Sequence, residues 1–156
     1  NEGSFSFEKG LSTGPGLVIE VFGKNAEIKI GKNMIASNNL HIGASESVII
    51  GNNVLIAGSV YISDHNHGSY SGEFQSSPLE SPVDRELTSL PVKIGNNVWI
   101  GERVSILPGV SIGQGVVIGA GSVVTRSLPD FVIAAGAPAK IIKQYDLEKK
   151  IWRSEK

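Results

Sequence analysis

Aliphatic residues recur every six positions through much of this chain of 156 residues. From residue 94 the sequence divides into IGNNVW, IGERVS, ILPGVS, IGQGVV, IGAGSV and VTRSLP, so that Ile or Val holds every first position. Val or Leu holds every fifth position except one, which is Ser122. A period of six matches neither the 3.6-residue turn of an amphipathic helix nor the simple alternation of a strand. It is typical of a parallel β-helix, in which each short strand is followed by a turn.

The same six-residue repeat occupies an earlier part of the chain. IGKNMI, ASNNLH and IGASES follow one another from residue 30, and IGNNVL, IAGSVY and ISDHNH follow from residue 50, after a slip at Val48 and Ile49. Residues 68–91, between the two blocks, have no repeat and contain many Ser and Pro residues. Long segments of this kind in compact domains are usually functional or disordered, and this one directly follows a pair of histidines.

These patterns predict one all-β domain, a parallel β-helix of hexapeptide repeats. Leu147 and Ile151 lie four residues apart near the end of the chain, which predicts a short amphipathic C-terminal α-helix. Stacked coils leave flat outer faces, so we expect the chain to associate with copies of itself. The predicted segments of the single domain 1–156 are coils at about 16–67 and 92–129, an excursion loop at 68–91, and a closing segment with the C-terminal helix at 130–156.

The composition excludes several kinds of chemistry. Because the sequence has no Cys, it offers no disulfide, no thiolate-bound zinc and no cysteine nucleophile. The formal net charge of −1 at pH 7 gives no electrostatic reason to expect nucleic acid as a partner. No apolar run approaches the ~20 residues that span a bilayer, and no signal-type segment opens the sequence. We therefore expect a cytoplasmic protein without membrane insertion.

Two of the three histidines stand two positions apart in YISDHNHGSYSGEF, residues 61–74. Residues two apart in an extended segment face the same side, so His65 and His67 can act together, with Asp64 beside them. Three interpretations are open from the residues alone: a metal site, a catalytic base, or a polar loop that happens to contain histidine. Imidazole, with an ordinary pKa of about 6.5, suits both of the first two roles.

Three segments resemble the hexapeptide-repeat acyltransferases: IGNNVWIG, IGAGSVVT and AAGAPAKII. The resemblance extends over about residues 30–142 and is greatest to the galactoside, maltose and streptogramin acetyltransferase branch and to polysaccharide O-acetyltransferases. It implies a left-handed β-helix, a homotrimer and acetyl-CoA as the co-substrate. GAPAK, residues 136–140, resembles the G-x-P-A-[KR] segment that closes the last coil of these enzymes and lines their coenzyme A site.

The resemblance also implies a catalytic base. In these acetyltransferases a histidine stands five positions after the last aliphatic residue of the coil that precedes the long loop. Counted from Ile62, that position is His67, while His65 is offset by two and is the alternative base. Acyl transfer from a thioester to a hydroxyl needs a base to remove the hydroxyl proton, and a neutral imidazole can supply it.

By the same resemblance, the pantetheine arm of coenzyme A contacts coil residues, the adenine end lies near the last coil, and basic side chains meet the phosphates. Arg, Lys and exposed backbone N–H groups are suited to binding phosphate. The cofactor-binding residues predicted in this way are Gly101, Glu102, Ala120, Thr125, Arg126, Lys140 and Lys143.

For the acceptor, the resemblance places Ser37 and Asn39 beneath a sugar, with Asp64 and Trp99 as further candidates. Asn38 and Asn39 are also ordinary turn residues, and an outward-facing Trp99 could equally lie in a subunit interface. The chain departs from the galactoside branch at the position of an acceptor-binding aspartate, where it has Ser45.

We therefore predict an O-acetyltransferase that transfers an acetyl group to a hydroxyl of a saccharide or surface-polysaccharide precursor, without a metal. Two alternatives stay open. The three histidines, with His41 as the third, permit a zinc enzyme of the gamma carbonic anhydrase type, although their spacing argues against it. A non-catalytic β-helix scaffold would show no affinity for acetyl-CoA.

Overall fold

The computed structural model describes residues 3–154, which wind into stacked coils around a triangular prism. Each of the first five coils contributes one strand to each of three flat faces, and a sixth coil is cut short. The strands of the first three coils are β1 (Ser4–Phe7), β2 (Ser12–Thr13), β3 (Val18–Val21), β4 (Glu27–Ile30), β5 (Ile35–Ala36), β6 (His41–Ala44), β7 (Ser47–Ile50), β8 (Leu55–Ile56) and β9 (Tyr61–Ser63).

An excursion separates the third coil from the fourth. It opens with β10 (His65–His67) and returns through β11 (Leu87–Ser89), and these two strands pair antiparallel. The remaining strands are β12 (Val92–Ile94), β13 (Trp99–Ile100), β14 (Ser105–Ile106), β15 (Ser111–Ile112), β16 (Val117–Ile118), β17 (Val123–Val124), β18 (Val132–Ala135), β19 (Lys140–Asp146) and β20 (Ile151–Ser154).

Each face is a parallel sheet built from every third strand of the coils. Face 1 has the order β1-β4-β7-β12-β15, face 2 runs β2-β5-β8-β13-β16-β18, and face 3 has the order β3-β6-β9-β14-β17. The edges of the prism are numbered in chain order. The chain turns from face 1 to face 2 at the first edge, from face 2 to face 3 at the second edge, and from face 3 to face 1 at the third edge. The predicted parallel β-helix is confirmed, and the left-handed sense of its coils stays a prediction.

The repeat predicts the core because first- and fifth-position side chains point into the prism. Ile100, Ile106 and Val104 have no solvent exposure, and the same is true of Ile42 and Ile62 in the earlier block. Ser122, the polar exception, is also buried, and its hydroxyl donates to the Gly119 carbonyl at 2.6 Å. The core is therefore a column of small aliphatic layers.

Asparagines at the first edge make the turns between faces 1 and 2. Asn33, Asn53 and Asn97 all have φ near +56°, a left-handed conformation that Asn tolerates better than most residues. Their side chains stack as a ladder, in which Asn33 donates to Asn53 at 3.1 Å and Asn53 donates to Asn97 at 3.2 Å.

The first coil begins earlier than predicted, because β1 and β2 already pair with β4 and β5. The weak repeat before residue 16 concealed these strands. The coil also ends earlier at the excursion: the ISDHNH hexapeptide leaves the prism at Asp64, so its histidines lie on the antiparallel ribbon.

The predicted C-terminal α-helix is wrong. Lys140–Asp146 instead turns back as β19 and pairs antiparallel with β18, and Ile151–Ser154 adds β20 to form a hairpin. Because the solenoid ends at β18, one edge of this strand has no neighbouring coil. The backbone N–H and C=O groups of that edge pair with β19. Leu147, one of the two residues that suggested a helix, lies in the hairpin turn, where the Asp146 carboxylate accepts N–H groups. Residues 3–154 contain no helix that is long and apolar enough to cross a membrane.

Candidate functional site

Asp64 holds the widened third edge together from inside. Its side chain is completely buried, and Oδ1 accepts the backbone N–H of Ser45 at 2.7 Å. Oδ2 accepts the N–H groups of Glu46 at 2.8 Å and of Ser47 at 2.7 Å. These residues form the corner where the sequence slips by two. A carboxylate engaged in this way is not available to a sugar hydroxyl, so the burial of Asp64 speaks against its predicted contact with the acceptor.

His65 packs back onto the outer surface of face 3. Its Nδ1 lies 3.1 Å from Asp64 Oδ1 and 3.2 Å from Ser63 Oγ, and its side chain is only 10% exposed. The ring meets Phe22 edge-on with centroids 5.1 Å apart. It also covers Gly43, where an added Cβ would lie 3.1 Å from Cε1 of His65. This packing gives His65 a fixed position and little access to solvent.

His67 lies two residues further along β10 and is exposed. Its ring centroid is 6.5 Å from that of His65, and the two rings are tilted by 69°. Pairing of His67 with Leu87 on β11 holds its backbone in the ribbon. Of the two predicted bases, His67 is therefore the more exposed.

Three of the seven predicted coenzyme A residues, Gly101, Glu102 and Ala120, stack on the second edge. An added Cβ at Gly101 would lie only 2.6 Å from the Ala120 nitrogen, which shows how closely the fourth and fifth coils approach. The N–H of Gly121 donates to the carbonyl of Glu102 at 2.7 Å. Glu102 and Ala120 are both exposed, so this stack presents backbone and small side chains to solvent.

GAPAK closes the same edge in the sixth coil. Val123 donates its N–H to the Gly136 carbonyl at 3.0 Å, and Ala139 donates to the Val123 carbonyl at 2.8 Å. Lys140 and Lys143 follow on β19 and are exposed. Lys140 lies beside the second edge, opposite Ala135, and Lys143 lies further along face 2, opposite Ile133.

Three more predicted residues are exposed, and they lie on different surfaces. Thr125 and Arg126 follow β17 and begin the third edge in the fifth coil, beyond face 3 from the GAPAK segment. Trp99 is 51% exposed on the outer surface of face 2, between Leu55 and Val117.

Ser37 and Asn39 lie on the second edge of the second coil, below Gly101 and Ala120. Asn38, between them, accepts the N–H of Ser59 from the coil above at 2.9 Å, and Arg103 donates to Gly58 one coil higher. Ser37, Asn39, Gly101, Glu102 and Ala120 thus share the second edge, whereas His65 and His67 leave the prism at the third edge. About five extended residues, or roughly 15 Å, separate the two edges across face 3.

The third histidine does not join the other two. His41 lies on the outer surface of face 3, where its Nε2 is 2.7 Å from the Glu20 carboxylate. Among residues 3–154, no three His, Cys, Asp or Glu side chains are placed to hold a metal ion. The zinc alternative therefore has no geometric support within one chain.

Comparison with known proteins decides the family. A family described as bacterial transferase hexapeptide (six repeats) matches residues 91–126. WbbJ of Escherichia coli K12, named for O-acetyl transfer in lipopolysaccharide biosynthesis, is 46% identical over 153 residues, covering 97% of this chain and 78% of WbbJ. The chain belongs to the hexapeptide-repeat acetyltransferases.

Solved structures of hexapeptide-repeat acetyltransferases share the fold. Galactoside acetyltransferase in complex with coenzyme A gives a TM-score of 0.67 at 40% identity, covering 89% of this chain and 67% of that one. A maltose O-acetyltransferase from Clostridium difficile 630 gives 0.72 at 34% identity, covering 91% and 71%. The predicted family is confirmed and the chain is an acetyltransferase, while the roles of individual residues stay predictions.

Several residues around the histidines of this hexapeptide-repeat acetyltransferase were not predicted from the sequence. Phe22 contacts His65 from the first coil, the Tyr70 hydroxyl donates to the His67 carbonyl, and Arg85 donates to the Tyr70 oxygen. Phe22 precedes the clear repeat, and the other two lie in the segment without a repeat. No periodic pattern could therefore have located them.

Proposed function

We propose that this protein is an acetyl-CoA-dependent O-acetyltransferase, with His67 as the general base and a saccharide or surface-polysaccharide precursor as acceptor. The observation that carries the proposal is the exposed imidazole of His67 on a ribbon fixed to the prism, in a chain of this family. The names of the galactoside, maltose and lipopolysaccharide relatives support a saccharide acceptor. We also propose that the reaction takes place in the cytoplasm, where acetyl-CoA is made.

The proposed reaction is a direct transfer. His67 accepts the proton of the acceptor hydroxyl as its oxygen attacks the thioester carbonyl, giving a tetrahedral oxyanion. The oxyanion collapses with cleavage of the carbon–sulfur bond, and the protonated His67 returns its proton to the departing thiolate. The products are an acetyl ester and the free thiol of coenzyme A, and no covalent bond to the enzyme forms.

The geometry favours a site shared between two copies of the chain in a homotrimer. His67 and the proposed coenzyme A edge lie on opposite sides of face 3, roughly 15 Å apart, so a pantetheine arm that runs along this edge is not beside the imidazole of the same chain. In a closed ring of identical subunits, one edge of each copy meets a different edge of the next. Such a ring of three would place His67 of one copy beside Gly101 and Ala120 of its neighbour.

Mixed trimers test the shared site. His67→Ala removes the base and Ala120→Trp fills the coenzyme edge, so we expect each variant alone to be inactive. Co-expression of the two variants should restore part of the activity. In a mixed trimer, the His67→Ala chain supplies an intact coenzyme edge, and a neighbouring Ala120→Trp chain supplies an intact His67. Light scattering should show three copies per particle. A fully active monomer would contradict the shared site.

Coenzyme binding gives a second prediction. Changing Lys140 and Lys143 together to Gln should raise the Kd for acetyl-CoA about tenfold or more, because two phosphate-pairing cations are lost. The Kd values of the double variant and of the unmodified protein should differ less at high salt, because salt screens the attraction between lysine and phosphate. Calorimetry with acetyl-CoA measures both effects. Lys149→Gln, in the turn of the C-terminal hairpin, is the matched control and should bind as the unmodified protein does. Equal affinities for all variants would remove these lysines from the proposed site.

The acceptor is identified by a thiol-release screen with acetyl-CoA over free sugars, nucleotide sugars and oligosaccharides. We expect release of coenzyme A to depend on a hydroxylated sugar. Faster release with amino sugars, together with an amide product, would replace O-acetylation by N-acetylation. Tight binding of acetyl-CoA without any acceptor-dependent release would argue against a saccharide acceptor.

A further inference from the structure

Two side chains of the excursion form a hydrogen-bond chain that ends at the backbone of His67. The Tyr70 hydroxyl donates to the His67 carbonyl oxygen. Arg85 Nη1 donates to the same Tyr70 oxygen at 2.8 Å, and its guanidinium carbon lies 6.0 Å from the centre of the Tyr70 ring. We call Tyr70 and Arg85 the loop clasp.

The arginine of the loop clasp is held on several sides. Its Nη2 donates to the carbonyl oxygen of Glu80 at 2.8 Å. Its Nε is the one buried side-chain nitrogen or oxygen within residues 3–154 that has no hydrogen-bond partner. An arginine enclosed to this degree has a defined position, so the Tyr70 hydroxyl that it contacts is oriented as well.

Gly68 brings the loop clasp close to the chain that follows His67. Gly68 is buried and has a φ of +102°, and an added Cβ would lie 3.1 Å from Cδ of Arg85 and 2.7 Å from Ser76 Oγ. Its carbonyl accepts the Thr88 hydroxyl at 2.7 Å. The backbone after His67 is therefore fixed by β11 on one side and by the loop clasp on the other.

We propose that Tyr70 and Arg85 are positioning residues that set the direction of the His67 imidazole. The carbonyl held by Tyr70 belongs to His67 itself, so its position defines the backbone from which the ring projects. A catalytic base displaced by about 1 Å can lose on the order of 100-fold in rate. The inference rests on the proposed role of His67, and it assigns a function to the excursion that the repeats cannot supply.

The test compares Tyr70→Phe with Tyr145→Phe. The second variant is the control, because it removes a tyrosine hydroxyl from the C-terminal hairpin, away from His67. We expect Tyr70→Phe to lower kcat about tenfold while KM for acetyl-CoA changes less than twofold and Tm stays the same. Arg85→Lys should act in the same direction, because a lysine cannot contact the Tyr70 oxygen and the Glu80 carbonyl in the same planar geometry. Tyr145→Phe should leave kcat unchanged.

Two further measurements separate positioning from a structural role. In a His67→Ala background, Tyr70→Phe should have no additional effect on kcat, because a residue that acts through the imidazole has nothing left to position. In NMR spectra of protein with labelled histidines, Tyr70→Phe should shift or broaden the His67 ring signal and leave His41 unchanged.

The outcomes are distinguishable. If Tyr70→Phe keeps full kcat and an unchanged His67 signal, the positioning role is wrong. If His67→Ala retains full activity, the proposed base is wrong instead, and with it the positioning of a base. If Tyr70→Phe lowers kcat further in the His67→Ala background, the hydroxyl acts on another group. If the loss of kcat in Tyr70→Phe accompanies a fall in Tm, the hydroxyl acts on folding.

Discussion

Replacing His67 by Ala is expected to lower kcat about 10³-fold, because general base catalysis typically contributes 10²–10⁴-fold. The ring is exposed and its backbone is paired with Leu87, so removing it should leave the fold unchanged. Calorimetry should give a nearly unchanged Kd for acetyl-CoA, since the residues proposed to bind the coenzyme do not include His67. Steady-state rates and calorimetry on the same preparations measure both quantities.

His65 provides the comparison for this result. His65→Ala removes a buried ring that contacts Phe22 and Asp64, so we expect a lower Tm and a smaller loss of kcat than for His67→Ala. If His65→Ala abolishes turnover and His67→Ala does not, the base is His65 and the count from Ile62 places it incorrectly.

Replacing Asp64 by Ala is expected to cost about 3–5 kcal/mol of unfolding free energy. Three backbone N–H groups at the third edge lose a charged acceptor, and each donor left unpaired costs about 1–3 kcal/mol. The lower part of that range applies, because Ser45, Glu46 and Ser47 are partly or fully exposed. The matching fall in Tm is about 10 °C, on the order of 2–4 °C per kcal/mol for a chain of this size. Calorimetric scans at one fixed protein concentration give the value, because the stability of an oligomer depends on concentration.

Asp130 is the matched control for Asp64. It also accepts a backbone N–H, from Gln114 at 2.9 Å, but it is exposed, so water can replace it in Asp130→Ala. The expected cost there is below about 1 kcal/mol. Equal effects of the two substitutions would show that the Asp64 carboxylate does not hold the corner.

The repeat predicted most of the fold because each hexapeptide places an aliphatic side chain in the core and then turns the chain at an edge. An aliphatic side chain such as Ile100 must enter the prism, and Asn97 must turn the chain before it. Prediction failed where the repeat ends. The i, i+4 pair of Leu147 and Ile151 suggested a helix, but the free edge of β18 offered backbone partners that a helix would have left unused.

The repeat locates residues of the coils, and the roles of the candidate site residues stay predictions. Counting from Ile62 selected His67, which is exposed on β10, and Gly101 and Ala120 lie close together on the second edge. Counting could not show that Asp64, one position before His65, is completely buried. Its carboxylate is held by the N–H groups of Ser45–Ser47, which lie about twenty residues earlier, directly before the two-residue slip at Val48 and Ile49.

By itself, the sequence determined the prism, its inward side chains and the family, since a strict period of six restricts every residue to a face or a turn. Only the tertiary structure decided which histidine is exposed, what holds Asp64, and that Arg85 contacts the Tyr70 hydroxyl that donates to the His67 carbonyl. These contacts join residues of different coils or of a segment without a period. Their positions follow from packing between distant parts of the chain, which no local pattern encodes.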